Sequence, residues 1–166
     1  MINSTTKSKL ERIVGEKYLS DDPVELYCYS HDFVSRALSW MNKDYDLVPV
    51  LVIKPINGKQ IKEIIDIAND ENLKIIPRGA GTSYGGQFLP VEGGIILDLT
   101  RMNKILEINT DDNFAIVEPG VLYRDLRKQL KNTGNGYWIP CNPGSADVCT
   151  IGGMIANDPY GESAIK

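Results

Sequence analysis

The run LKIIPRGAGTSYGG, residues 73–86, joins an apolar strand pattern to four glycines, Gly79, Gly81, Gly85 and Gly86. A glycine costs about 0.5–1 kcal/mol relative to alanine in regular structure. A loop this rich in them either turns where side chains cannot go or lets another group approach its backbone. Upstream, PVLVI (49–53) reads as a buried strand, and NGKQIKEIIDIANDEN (57–72) sets Ile61, Ile64, Ile65 and Ala68 at the i, i+3, i+4, i+7 spacing of a helix face. LKIIP (73–77) is the next strand. Strand, helix and strand in so short a span make a βαβ unit with parallel strands and a right-handed crossover. The glycine loop then leaves the carboxyl end of the second strand, the side on which open sheets bind ligands.

Working outward, GGIILDLT (93–100) is a third strand, and KILEIN (104–109) with NFAIVEP (113–119) flank TDD as an antiparallel hairpin. VLYRDLRKQLKNTGNG (121–136) is an amphipathic helix closed by Gly134, and the tail from Tyr137 is loop-rich before a small-residue helix. At the other end, residues 4–15 read as a short helix behind a Ser/Thr cap, packed as an arm, and 20–48 as mostly irregular with one short helical piece. The order points to an α+β fold: a small parallel βαβ subdomain beside an antiparallel one. The boundary falls between an N-terminal arm, 1–47, and the domain proper, 48–166.

Composition narrows the partners. A chain of 166 residues, 42% hydrophobic and 24% charged, is long enough for one well-buried core. It has no apolar run of the roughly 18–20 residues a membrane span needs and no secretory leader at its start, so a cytoplasmic protein is expected. A net charge of −4 without a dense Lys/Arg patch argues against nucleic acid. Cys28, Cys141 and Cys149 lack the spacing of a zinc site or a disulfide frame, so no metal is expected. His31 is the only histidine, and its neighbours in YSHDF show no partner for general-base work.

Two readings of the glycine loop stand. Gly79, Ala80 and Gly81 begin a GxG after a strand, with Asp98 about 20 residues on, as in a dinucleotide fingerprint. That fingerprint must open into a long helix, whereas TSYGGQFLPVEGG (82–94) has no apolar period and is broken by Pro90, Gly93 and Gly94. What remains is either a tight turn with no ligand or a nest of backbone N–H groups for phosphate oxygens, with Arg78 adding charge. A second small-residue stretch, PGSADVCTIGGMIAN (143–157), favours the nest, because its helix start offers N–H groups and hydroxyls to an anionic or flat polar ligand. Two such loops imply one long ligand.

In order and spacing, PRGAGTSYGG, GGIILDLTRMNKIL, AIVEPGV and PCNPGSADVCTIGGMIAN resemble the FAD-linked oxidases whose flavin domain is of the p-cresol methylhydroxylase/vanillyl-alcohol oxidase type. Within them the sequence is most similar to D-lactate dehydrogenases and the flavin subunit of glycolate oxidase. The resemblance covers residues 48–166 and implies FAD held between two α+β subdomains. It implies that Arg78, Gly79, Ala80, Gly81, Thr82, Ser83 and Gly85 wrap the pyrophosphate. Pro143, Gly144, Ser145, Thr150, Ile151, Gly152 and Gly153 would line the ribityl chain and flavin ring, followed by Ile155 and Asn157. Family members that attach FAD through this loop carry histidine where Thr82 stands, which implies a non-covalent flavin. The implied reaction is hydride transfer from a 2-hydroxy acid such as D-lactate or glycolate. The alternatives are another alcohol or lactone substrate, or an electron-transfer or assembly subunit without turnover. Asn157, Asp158, Pro159, Tyr160 and Gly161 depart from the family's Asn-Asn-Ala-Ser-Gly type of run. The family's substrate cap and catalytic residues would lie beyond Lys166, so the flavin domain is expected to be truncated and completed by further polypeptide or another redox subunit.

Overall fold

The computed structural model describes residues 2–32, 46–91, 93–159 and 161. The chain packs as two compact units, Met1–Arg78 with Ser83–Arg101, and Gly79–Thr82 with Met102–Lys166. Residues 33–45 of the stretch expected to be irregular, and Tyr160, lie outside the described residues.

The first unit contains α1 (Ser4–Val14), a 3-10 turn (Glu16–Tyr18), β1 (Leu19–Ser20), α2 (Pro23–Cys28), β2 (Leu51–Ile53), α3 (Gly58–Asp70), β3 (Ile75–Arg78) and β4 (Ile95–Asp98). The strands lie in the order β1-β2-β4-β3, with β2 and β3 both parallel to β4 and β1 antiparallel at the edge. β2 and β3 thus run the same way, as the βαβ pattern predicts, but β4 is inserted between them. The burial pattern explains the placement. Ile95, Ile96 and Leu97 are all buried, as a central strand covered on both faces requires. β3 carries exposed Pro77, which has no N–H to donate and is tolerated on an edge strand.

Side chains alternate across the sheet. Leu51, Ile53, Ile95 and Leu97 meet Leu10 and Val14 of α1 and Ile64 of α3 on one face, and Val52 and Ile96 meet Leu26 of α2 on the other. The N-terminal helix, expected as an arm, therefore supplies core: Leu10 is 0% exposed and β1 pairs with β2. Asn3, not a serine or threonine, caps α1 by accepting from the Thr6 N–H at 2.8 Å. The Gln60 side chain ties α1 to α3: its Oε1 accepts from the Ile56 N–H (2.9 Å) and its Nε2 donates to the Ile13 carbonyl (2.7 Å). On α3, Ile64 and Ala68 face the core as the periodicity predicts, whereas Ile65 is 40% exposed and Ile67 packs in its place. His31 closes α2 locally, its Nδ1 lying 2.7 Å from Ser30 Oγ and 3.0 Å from the Tyr27 carbonyl.

The second unit contains β5 (Ile105–Asn109), β6 (Phe114–Val117), α4 (Tyr123–Asn132) and α5 (Ile151–Asn157). β5 and β6 form the expected antiparallel hairpin, with an irregularity between Ile105 and Glu107. Its turn is shaped by Asn109 Oδ1, which accepts from the N–H groups of Asp111 (3.0 Å) and Asp112 (2.8 Å). Gly134, at φ +76°, follows the end of α4. Tyr123, Cys149 and Met154 form this unit's core, with Ile139, Cys141, Ala146 and Ile151 packed against it. No helix among the described residues is long and apolar enough to cross a membrane.

Candidate functional site

The glycine loop serves both units in turn. β3 ends at Arg78 in the first, the next four residues pack in the second, and the chain rejoins the first at Ser83. Its glycines have different causes. Gly81 adopts φ +68°, in the left-handed region that other L-residues avoid. Gly79 is not in that region, and the constraint on it is space: a Cβ there would collide with Thr150 Oγ1 and lie 3.3 Å from Thr150 Cβ.

The loop's main-chain donors at its start are open. Among the described residues, none accepts a hydrogen bond from the N–H of Gly79, Ala80, Gly81 or Thr82. All four residues are half-buried. These half-buried N–H groups are left to solvent or to a ligand, and a short run of them with a left-handed glycine is the arrangement that makes a concavity for anion oxygens. The residues present therefore fit a diphosphate. Further on, the donors are committed: the Gly85 N–H reaches Ser83 Oγ at 3.3 Å, and the Gly86 N–H reaches Asp32 Oδ2 at 3.0 Å.

In the second small-residue stretch, also in the second unit, the expected donors at the helix start are not open, which corrects the sequence reading on this point. The Ile151 N–H donates to the Val121 carbonyl (2.8 Å), that of Gly152 to the Pro119 carbonyl (2.9 Å), and that of Gly153 to Thr150 Oγ1 (3.3 Å). The first turn of α5 is thus closed by the Glu118-Pro119-Gly120 corner and by its own cap. What stays open is the preceding turn. The carbonyls of Pro143 and Ser145 accept from Ala146, Val148 and Cys149, and among the described residues none accepts from the N–H of Gly144 or Ser145. A Cβ on Gly144 would touch nothing within 4 Å. Pro143 is buried beneath this turn, whereas Ile155 is 78% exposed and Asn157 lies at the exposed end of α5.

In the first unit, Arg78 is set between two aromatic rings, its guanidinium carbon 4.5 Å from the Tyr29 centroid and 4.9 Å from that of Phe88. Burial lowers its pKa, partly offset by Tyr29, Asp98 and Asp32. Tyr29 donates to Asp98 Oδ2 at 2.6 Å, and Asp98 Oδ1 accepts from the Thr100 N–H (2.9 Å) and Oγ1 (2.6 Å). Burial, then the hydrogen bond to Asp98, raises the Tyr29 phenol well above the usual range. Asp98 is itself buried and bonded through both oxygens, so it has no free face for a ribose. Neither Tyr29 nor Asp32 belongs to a motif in the sequence. Asp22-Pro23 is the one local signal here, since Asp22 caps α2 at Val24 and Glu25 (both 3.0 Å) and so sets where the helix begins, with Tyr29 following its last residue, Cys28.

Residues 49–166 match the family described as FAD binding domain. The chain belongs to that family, and its cofactor is FAD. The glycolate oxidase subunit GlcD of Bacillus subtilis is 32% identical over 166 residues, which is 100% of this chain and 33% of that protein. A D-lactate dehydrogenase of Archaeoglobus fulgidus is 34% identical over 116 residues, 70% of this chain and 25% of that protein. The chain thus spans a third or less of the length of these relatives. Among solved structures, an alkyldihydroxyacetonephosphate synthase is similar with a TM-score of 0.83 at 23% identity, over 97% of this chain and 33% of its own. p-Cresol methylhydroxylase is similar with a TM-score of 0.74 at 22% identity, over 87% of this chain and 27% of its own. These likenesses establish the fold, the α+β flavin domain expected from the four motifs.

Proposed function

We propose that the protein oxidises a small 2-hydroxy acid of the size of glycolate or D-lactate, using FAD held without a covalent bond. What supports the substrate class is the 32% identity that runs through all 166 residues to a glycolate oxidase subunit. What supports the cofactor's placement is the run of four open N–H groups at Gly79–Thr82. FAD bound there supplies the redox chemistry, a two-electron acceptor for the hydride on the substrate's α-carbon.

The chain's own part is to bind and orient. In a protein of net charge −4, the N–H groups of Gly79, Ala80, Gly81 and Thr82 supply the local positive potential that diphosphate oxygens need. The open N–H groups of Gly144 and Ser145 add two donors from a second turn. Gly152 and Gly153 act as wall, since their own N–H groups are tied to the protein, with Thr150 buried behind them, and the exposed face of Ile155 offers apolar cover for a flat ring. The Thr82 hydroxyl stands where a covalent attachment would use histidine. The proton of the substrate hydroxyl is assigned to no residue of this chain, and the remaining polypeptide or a separate redox subunit completes the enzyme.

Two measurements test this reading. Acid precipitation of the holoprotein is expected to release all the yellow colour into the supernatant, and fluorescence left on the denatured polypeptide would contradict it. Anaerobic addition of glycolate or D-lactate is expected to bleach the bound flavin. Bleaching by dithionite but by neither acid would overturn the substrate class. Gly144→Ala gives a local check. It is expected to change stability by no more than about 0.5 kcal/mol, because the added methyl meets no protein atom, and to weaken FAD binding about tenfold if the cofactor lies against this turn. Unchanged affinity would remove Gly144 from the site.

A further inference from the structure

We propose that Thr150 is the positioning residue of the cofactor loop, acting through Gly79 and not by touching FAD; this rests on Gly79–Thr82 being the diphosphate site. Thr150 is 2% exposed and tied to its surroundings on several sides. Its Oγ1 caps α5 at Gly153, its carbonyl accepts from Met154 at 2.9 Å, and it bridges Leu122. The residues on either side of it lock the same segment, through the Ile151 N–H to Val121 and the Tyr123 N–H to the Cys149 carbonyl at 3.0 Å. The remaining face of this fixed side chain meets Gly79, where a Cβ would collide with Oγ1 and lie 3.5 Å from Cγ2.

Gly79 is the first of the four residues with open N–H groups, so its contact with Thr150 sets where the run begins and which way it faces. Gly81 then turns it at φ +68°. One threonine thus connects the cap of α5, the isolated bridge at Leu122 and the cofactor loop. Its hydroxyl is occupied by the Gly153 N–H and its side chain is buried against Gly79, which is why its role is to hold the loop.

The test is a double-mutant cycle on FAD affinity, read by flavin fluorescence, with apoprotein melting measured in parallel. Gly79→Ala is expected to weaken binding about 50-fold by overpacking against Oγ1. Thr150→Ala is expected to weaken it about fivefold through loss of the cap and seat. The double variant, in which the colliding oxygen is gone, is expected to return to within about tenfold of wild type, a non-additivity that general destabilisation does not produce. Thr150→Ser, which keeps Oγ1, should bind within about threefold of wild type. A double variant as weak as the product of the two singles, or Gly79→Ala binding like wild type, would overturn the proposal. If Gly79→Ala does not fold, equal affinities for Thr150→Ser and Thr150→Ala overturn it equally well. Because the cycle reads FAD binding alone, its outcome is separate from whether a 2-hydroxy acid is the substrate.

Discussion

Gly81→Val is expected to remove FAD binding while leaving a folded apoprotein. At φ +68° Gly81 sits where a β-branched residue is strained by about 1–3 kcal/mol. The loop relieves that strain by rotating its peptide planes, which re-aims the N–H groups of Ala80, Gly81 and Thr82. A hydrogen bond to a charged acceptor contributes about 1.5–3 kcal/mol, so losing two of them weakens FAD by at least roughly 100-fold. The fold is spared because none of these N–H groups bonds to a described residue. Fluorescence titration and a circular dichroism melt separate the two effects. An apoprotein that unfolds, rather than one that melts normally and ignores FAD, would mean that the loop is a turn and nothing more.

Asp98→Ala is expected to destabilise the first unit by about 3 kcal/mol, since a buried carboxylate with three donors is lost and the Tyr29 hydroxyl is left without its acceptor. The fragment most affected is the one after α2, where Tyr29 lies over Arg78. Urea unfolding of the variant, alone and combined with Tyr29→Phe, reads the coupling. The pair should cost less together than the sum of the two singles, because the second removes the group the first leaves unpaired. Unaltered stability in Asp98→Ala would show that this cluster does not hold the N-terminal segment.

Much of the fold was legible because its signals are local. α3, α4, the hairpin and the strands each carry a period or a turn that their own residues specify, and the expected elements fall within a few positions of those observed. The insertion of β4 between β2 and β3 was not legible, because it depends on which apolar strand is covered on both faces, a property of the assembled sheet. The helical period puts Ile65 on the buried stripe for the same reason: a helix of 13 residues carries more isoleucine than one face can bury, and the assembled core takes Ile64 and Ile67 and leaves Ile65 40% exposed. Asp98 is excluded as a ribose ligand in sequence by the absence of a helix after the glycines, and in structure by its bonds to Tyr29 and Thr100. In the site, the glycine count marked the loop but did not separate Gly79, excluded by a neighbour 71 positions away, from Gly81, set by its own φ. The sequence leaves the donors at the start of α5 looking open because their acceptors, Pro119 and Val121, lie about thirty residues upstream and no local pattern announces such a pairing.

Hydrogen exchange of the 78–86 segment, measured on the holoprotein and after removal of FAD, addresses the loop directly. With FAD bound, the amides of Ala80, Gly81 and Thr82 are expected to exchange at least about tenfold more slowly than in the apoprotein, while Gly86, already bonded to Asp32 at 3.0 Å, changes little. Unchanged exchange at Ala80–Thr82 with stoichiometric FAD in place would show that the cofactor's phosphates are held elsewhere.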